Sequence, residues 1–180
     1  ADMPQAVPID PKKLLEHARA LATHQDGAGR PRPVWLRRAV SSAYYSAFHA
    51  VSLATTLQLA PQSSSEDRYR LSRSIDHGRL AEVCGWVRGQ KGDGAGKQHV
   101  QAIVSDLRLN PAMQELATHI AELQEARHQA DYDHLYVVGK AMALTHVAQA
   151  SEVLKLLDKH QSDADLQSFL ALVALHTQLR

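Results

Sequence analysis

Apolar residues recur at helical spacing along almost the whole 180-residue chain, and this periodicity constrains the fold more than any other feature. The longest stripe lies between Pro33 and Leu59. Its members recur every three or four residues: Leu36, Val40, Ala43, Tyr44, Ala47, Phe48, Val51 and Ala54. No segment keeps the strict apolar–polar alternation that marks a half-buried strand. The pattern therefore predicts an all-α protein built as an up-and-down bundle of four or five helices.

Capping signals locate the ends of the predicted helices. Asp10 and Asn110 each precede a proline, a combination typical of a helix start. Asp163 is expected to cap a final helix, and Ser65 to cap a short turn after a polar loop. The helices are expected at 11–24, 33–59, 75–88, 98–107, 111–130, 137–160 and 163–176. The glycine-rich segment 89–97 is expected to be a mobile loop.

These helices predict one domain over residues 1–180, with a core at about 10–160 and a C-terminal helical appendage at 161–180. The single Cys84 excludes an internal disulfide, lies in an apolar segment and is expected in the core. We find no secretory signal and no apolar run long enough to span a membrane. The protein is therefore expected to be soluble and cytoplasmic, with no membrane association.

Charge is distributed unevenly although the net charge is only +1. Residues 27–97 contain eleven Lys or Arg against five Asp or Glu, whereas the rest of the chain is acidic. This asymmetry is compatible with a basic face that meets an anion or a nucleic acid. It is also compatible with a solvated face and attraction between the two parts of the chain, and charge segregation by itself is a weak signal.

Arg127 interrupts the apolar face of the helix that starts at Pro111. Met113, Leu116, Ile120 and Leu123 mark that face, and Arg127 occupies its next position. A guanidinium group keeps its proton and needs an acceptor. Asp131, one turn further on, provides one in a structural ion pair. The alternative is a half-buried arginine that binds a phosphate.

The second long helix carries polar side chains that suit the same site. Arg38, Ser42, Tyr45 and His49 are spaced by four, three and four residues and share one stripe. If this stripe faces the helix of Arg127, one cleft collects five candidate residues: Arg38, Tyr45, Arg127, His134 and Tyr136.

Two patterns that suggest a metal or a nucleotide are incomplete. Glu125 and His128 have the spacing of a helical di-metal site, but the chain lacks a second such pair and any His-Glu-x-x-His or cysteine cluster. The run from Gly92 to Lys97 lacks the upstream glycine, the following Ser or Thr and the preceding strand of a phosphate loop. We therefore expect no metal and no cofactor.

Three motifs resemble the HEPN domain family over roughly residues 10–160. The segment 36–50, Leu-Arg-Arg-Ala-Val-Ser-Ser-Ala-Tyr-Tyr-Ser-Ala-Phe-His-Ala, is similar to the long second helix of HEPN domains. Asp76-His77-Gly78-Arg79 fits the start of the middle helix. Arg127-His128-Gln129-Ala130-Asp131-Tyr132 resembles the arginine and Ala-Asp-Tyr signature of small prokaryotic HEPN proteins.

The resemblance implies a dimeric helical bundle, and many members are metal-independent ribonucleases of toxin–antitoxin or defence systems. It implies catalytic roles for Arg127 and His134, which are separated by six residues, with His128 in the polar position after the arginine. Asp131 or Asp133 is then expected to orient the histidine. Tyr132 belongs to the Ala-Asp-Tyr run, and Tyr136 is expected to hold a phosphate or stack on a base.

Other members of the family are non-catalytic partners of small nucleotidyltransferase proteins. The primary hypothesis is therefore a homodimeric HEPN protein that binds or cleaves RNA, with a nucleotidyltransferase-type antitoxin as partner. The alternative is a non-catalytic HEPN-like module that binds a nucleotide or a protein, with Arg127 and Asp131 in a structural role.

Overall fold

The structure is a computed structural model that describes residues 9–24, 29, 31–90 and 98–175. These residues form eight α-helices and no strand, which confirms the prediction of an all-α fold. The helices are α1 (Pro11–Thr23), α2 (Pro33–Leu59), α3 (Ser65–Ser72), α4 (His77–Val87), α5 (Gln98–Leu109), α6 (Pro111–Tyr132), α7 (Lys140–Lys159) and α8 (Ala164–Leu175).

Polar side chains start several of these helices by accepting backbone N–H groups that have no partner inside the helix. Asp10 accepts from Lys12 at 2.9 Å, and Asn110 accepts from Ala112 at 2.9 Å, as the Asp-Pro and Asn-Pro signals predict. The cap of α3 differs from the prediction. Its N-cap is Ser64 rather than Ser65, and the segment that follows is a helix of eight residues rather than a turn.

Helix α2 lies at the centre of the bundle and packs against α1, α6 and α7. Its predicted apolar stripe is buried from Leu36 to Val51, while Ala54 is only partly buried. Fully burying a large aliphatic or aromatic side chain contributes about 1.5–3 kcal/mol, so the burial of this stripe helps to stabilise the fold. Cys84 belongs to the same core, and burial raises the pKa of its thiol to about 12.

The C-terminal helix α8 packs across the bundle, against α2, α4 and α5. Phe169 and Val173 are completely buried there. The side chain of Gln58 in α2 also donates to the carbonyl of Gln167, at 2.9 Å. The residues of α8 thus contribute to the same hydrophobic core as the preceding helices.

Helices α2 and α6 run antiparallel, so the start of α2 lies beside the end of α6. Helix α6 stops at Tyr132 because the side chain of Asp133 accepts the N–H of Leu135 at 2.8 Å and turns the chain. None of the described helices combines the length and apolar character that a membrane crossing requires. Most of the glycine-rich segment 89–97 lies outside the described residues.

Candidate functional site

Arg127 lies on α6, one turn beyond the fully buried Leu123, and its side chain is 19% exposed. Its Nη2 donates to the hydroxyl of Tyr45 on α2 at 2.8 Å. Its Nε lies 2.8 Å from Oδ2 of Asp131. The arginine therefore joins α6 to α2 through polar contacts beside the apolar core of the bundle.

The contact between Arg127 and Asp131 is an ion pair without an aligned hydrogen bond. The buried Nε has no hydrogen-bond acceptor, although the carboxylate oxygen lies within ion-pair distance. Asp131 directs its other oxygen towards α2, where it accepts from the hydroxyl of Ser41 at 2.5 Å. The attraction is therefore mainly coulombic, and the carboxylate is shared between two helices.

The guanidinium of Arg127 stays charged in this setting. Burial acts to lower its pKa, but the hydrogen bond to Tyr45 and the nearby Asp131 outweigh that effect and raise the pKa. The group also lies 5.5 Å from the ring centroid of Tyr45 and 5.4 Å from that of Tyr132, within the range of cation–π attraction.

His77, the first residue of α4, lies against the same region. Tyr44 is only 1% exposed, and its hydroxyl lies 2.7 Å from Nδ1 of His77. The imidazole packs on Phe48, with ring centroids 3.9 Å apart. Burial lowers the pKa of His77, the charge of Arg127 lowers it further, and Asp76 opposes both effects.

His49 is a second imidazole beside this group. Its ring stacks on Tyr45, with centroids 6.4 Å apart, and meets Phe48 edge to face at 5.4 Å. Burial, followed by the proximity of His77, lowers the pKa of His49. Both imidazoles therefore favour the neutral form, so Arg127 supplies the positive charge of the cluster at neutral pH.

Arg37 holds the end of α6 from the start of α2. Its guanidinium donates to the carbonyls of Ala130 at 2.8 Å, Tyr136 at 2.9 Å, Asp133 at 2.5 Å and Gln129 at 3.5 Å. These carbonyls belong to the last turn of α6 and the segment that follows. Those of Gln129 and Asp133 also accept a backbone N–H, whereas no backbone donor reaches those of Ala130 and Tyr136. Arg37 thus fixes the turn that follows the candidate site.

The structure brings together four of the residues predicted for the site: Tyr45, Arg127, Asp131 and Tyr132. His128 is exposed at the edge of this group, where its ring lies 5.1 Å from that of Tyr132. The roles assigned to these residues stay predictions.

The other three predicted residues lie outside this group. Arg38 is exposed on α2 and has no hydrogen bond or ion pair within the described ranges. His134 is exposed on the turn after α6 and is likewise not bonded to Arg127 or to any other described residue. Tyr136 is half-buried and its hydroxyl donates to Sδ of Met142 at 3.4 Å. Burial raises the pKa of Tyr136, and the charge of Arg37 opposes that rise.

Sequence reasoning did not assign three residues that the structure places at this interface: Arg37, Ser41 and His77. A signal existed for the first two, because residues 37, 41 and 45 are spaced by four and share one face of a helix. His77 stands in a segment that the family resemblance had already singled out. Its burial against α2, however, depends on tertiary packing that no local pattern encodes.

No group of three or more His, Cys, Asp or Glu side chains among the described residues is arranged to hold a metal ion. Comparisons with known proteins add no further assignment: no family model matches the chain, and no curated protein or solved structure matches it. The similarity to HEPN domains therefore stays a prediction from the sequence motifs.

Proposed function

We propose that this protein is a HEPN-like RNA-binding protein of a toxin–antitoxin or defence system, working in the cytoplasm, and that Arg127 binds a phosphate of the RNA. The observation that carries the proposal is a charged guanidinium held between α2 and α6 beside the apolar core, with part of its side chain still open to solvent. A phosphate oxygen is the natural partner for such a group, because guanidinium donors match its geometry.

The donors of Arg127 are only partly used by the protein. Nη2 donates to Tyr45, Nε faces Asp131 without an aligned hydrogen bond, and Nη1 donates to no described residue. Tyr45 accepts from Arg127, so its own hydroxyl proton remains to be donated. The exposed face of Tyr132 provides a surface for stacking a base. These groups together suit one nucleotide of a single strand.

Cleavage of the RNA is the catalytic form of this proposal. In that form the 2′-hydroxyl attacks the adjacent phosphorus, and Arg127 stabilises the charge that develops on the phosphate oxygens. His134 takes the proton of the hydroxyl or returns one to the leaving oxygen. Because His134 lies on an exposed turn, this mechanism requires the turn to bring its imidazole to the RNA bound at Arg127.

Binding and cleavage of labelled single-stranded RNA test the proposal. We expect Arg127→Ala to weaken binding at least tenfold, Arg127→Lys to restore part of it, and the exposed Arg38→Ala to reduce it only slightly. If the protein is a ribonuclease, it cleaves in the presence of EDTA and His134→Ala abolishes cleavage while binding persists. Equal RNA affinity of the wild type and a folded Arg127→Ala variant would reject the proposal.

The second candidate is a non-catalytic module that binds a nucleotide or a protein, with Arg127 and Asp131 in a structural role. The observation in its favour is the chain of contacts from Arg127 through Asp131 to Ser41, which ties α6 to α2 without any ligand. In that case Arg127→Ala mainly lowers the stability of the fold, and His134→Ala changes neither stability nor binding.

A homodimer belongs to the same proposal. Two apolar side chains lie exposed in the segment after α6, close to the site: Leu135 at 89% and Val137 at 82%. A second copy covering this patch would bring two Arg127 sites near one another. Sedimentation of the wild type and of Leu135→Glu distinguishes a dimer through this patch from a monomer.

The nucleotidyltransferase-type partner rests on the family resemblance alone, and co-purification with a neighbouring gene product tests it.

A further inference from the structure

We infer that His77 is a second ligand-binding residue at the Arg127 site, where its Nε2–H donates to an oxygen of the same phosphoryl group, and that Tyr44 fixes the tautomer required. The inference rests on the proposed function, because it names a further residue for the same anion. The ligand chemistry is a phosphoryl oxyanion, supplied either by an RNA phosphodiester or by free phosphate.

Tyr44 determines which nitrogen of His77 carries the proton. The hydroxyl of Tyr44 is buried, and its one hydrogen-bond partner among the described residues is Nδ1 of His77, at 2.7 Å. A buried hydroxyl must donate its proton to avoid the cost of an unmade hydrogen bond. Burial also raises the pKa of Tyr44 far above its ordinary value, so the proton is always present. Nδ1 therefore accepts, and the neutral imidazole carries its hydrogen on Nε2.

Helix α6 holds His77 beside Arg127. The side chain of Gln124 donates to the backbone carbonyl of His77 at 3.1 Å, and Gln124 precedes Arg127 by three residues on the same face of α6. The ring of Tyr45, whose hydroxyl binds Arg127, meets His77 edge to face with centroids 5.9 Å apart. Thus α2 and α6 both place the imidazole next to the guanidinium.

The free Nε2–H has the position and protonation that an anion needs. Nε2 of His77 forms no hydrogen bond with any described residue, and His77 is half-buried. An arginine and a neutral imidazole N–H can together donate to two oxygens of one phosphoryl group. Because Nε2 carries the hydrogen in this tautomer, it has no free lone pair. His77 therefore donates to the ligand and does not act as a general base through Nε2.

Binding of an anion here favours proton uptake by His77. The proton enters at Nδ1, so the hydroxyl of Tyr44 no longer donates to that nitrogen and accepts from the new Nδ1–H instead. The groups that face His77 are Arg127 from α6, Asp76 at the start of α4, and Tyr44, Tyr45 and His49 from α2. A bound anion partly neutralises the repulsion from Arg127 and thereby raises the pKa of His77. Each unit of that rise corresponds to at most a tenfold gain in affinity, reached when the pH lies below the pKa of His77 in the free protein. Affinity for the anion should therefore increase as the pH falls.

Nitrogen-15 NMR of the histidine rings in the full-length protein tests the inference. The probes are a 2′-O-methyl RNA oligonucleotide without terminal phosphates, which cannot be cleaved at its 2′ positions, and inorganic sulfate as a non-titrating substitute for free phosphate. We expect the Nε2–H tautomer in the free protein and a rise in the pKa of His77 when a probe binds. The probe that produces the rise identifies the source of the oxyanion.

Variants separate His77 from the rest of the site. His77→Gln keeps a donor near the position of Nε2 but does not titrate, so RNA affinity should persist at pH 8 and lose its increase on acidification to pH 6. Tyr44→Phe should raise the pKa of His77 in the free protein. His17→Gln is the matched control, since this histidine is exposed on α1 and belongs to no part of the proposed site, and it should keep the pH dependence of binding.

The outcomes for the inference and for the proposed function differ. RNA binding that depends on Arg127 but leaves the His77 signals unchanged would overturn the inference and leave the proposed function intact. A rise in the pKa of His77 with sulfate, together with no RNA binding, would support the inference and reject the proposed function. An Nδ1–H tautomer, or no response of His77 to either probe, would overturn the inference.

Discussion

Two arginines join α2 to α6, and they differ in how completely the protein uses their donors. Arg37 donates to four backbone carbonyls at the end of α6 and in the following turn. Arg127 donates one hydrogen bond, to Tyr45, and faces a carboxylate with which it is poorly aligned. The first arginine is a fixed part of the fold, whereas the second keeps donors that a ligand can use.

The partners of the two arginines explain this difference. Carbonyls at the C-terminal end of a helix carry partial negative charge and lie in a fixed arrangement, so one guanidinium can satisfy several of them. The partners of Arg127 are side chains on two helices, and their positions fit the ion pair better than the hydrogen bond. Residue type alone therefore does not separate a structural arginine from a binding one; the geometry of its acceptors does.

The largest expected effect is the loss of Arg37. Arg37→Ala leaves the partly buried carbonyls of Ala130 and Tyr136 without a donor, so we expect the free energy of unfolding to fall by about 2–4 kcal/mol. Urea denaturation measures this change. The adjacent Arg38→Ala is the matched control, and we expect it to change stability by less than about 0.5 kcal/mol because its side chain is exposed. Equal losses from both variants would refute the structural role of Arg37.

A smaller effect is expected from the pair of Arg127 and Asp131. Both side chains are about one-fifth exposed, and their contact lacks an aligned hydrogen bond. A double-mutant cycle with Arg127→Ala and Asp131→Ala should give a coupling energy of about 1 kcal/mol. A coupling above about 3 kcal/mol would mean that the pair is chiefly structural, which favours the non-catalytic module over the phosphate site.

Seven of the eight helices could be predicted from the sequence because their apolar stripes and their caps agree. Helix α3 is the exception: it was expected only as a turn. Its sequence, Ser-Glu-Asp-Arg-Tyr-Arg-Leu-Ser, offers no apolar stripe. The helix is held instead by the cap from Ser64 and by the ion pair of Arg70 with Glu66, at 2.6 Å. Such local polar contacts are individually weak and are difficult to read from periodicity.

The candidate site was only partly predictable for a related reason. Two sets of residues each form an acceptable stripe on α2: one is 38, 42, 45 and 49, and the other is 37, 41 and 45. The two stripes are offset by about one position along the sequence. The sequence predicted the first set. In the structure Arg37, Ser41 and Tyr45 contact α6, because the apolar core rotates α2 to bury Val40 and Tyr44. The choice between the two stripes depends on packing against neighbouring helices.

The smallest expected effect concerns the two imidazoles beside Arg127. His49 and His77 both have a pKa below the ordinary value of 6.5 in the folded protein. Below that value the unfolded chain binds more protons at these positions than the folded chain does, so stability should decrease as the pH falls from 7.5 to 5. Urea denaturation across this range should show a shallower decrease for the double variant His49→Gln and His77→Gln. The control His134→Gln should retain the wild-type slope, since its imidazole is exposed on the turn after α6. A double variant with the same slope as the wild type would show that the two imidazoles are not held in the neutral form. The distinction between Arg37, whose donors are used by the protein, and Arg127, whose donors a ligand can reach, would then have to rest on hydrogen-bond geometry alone.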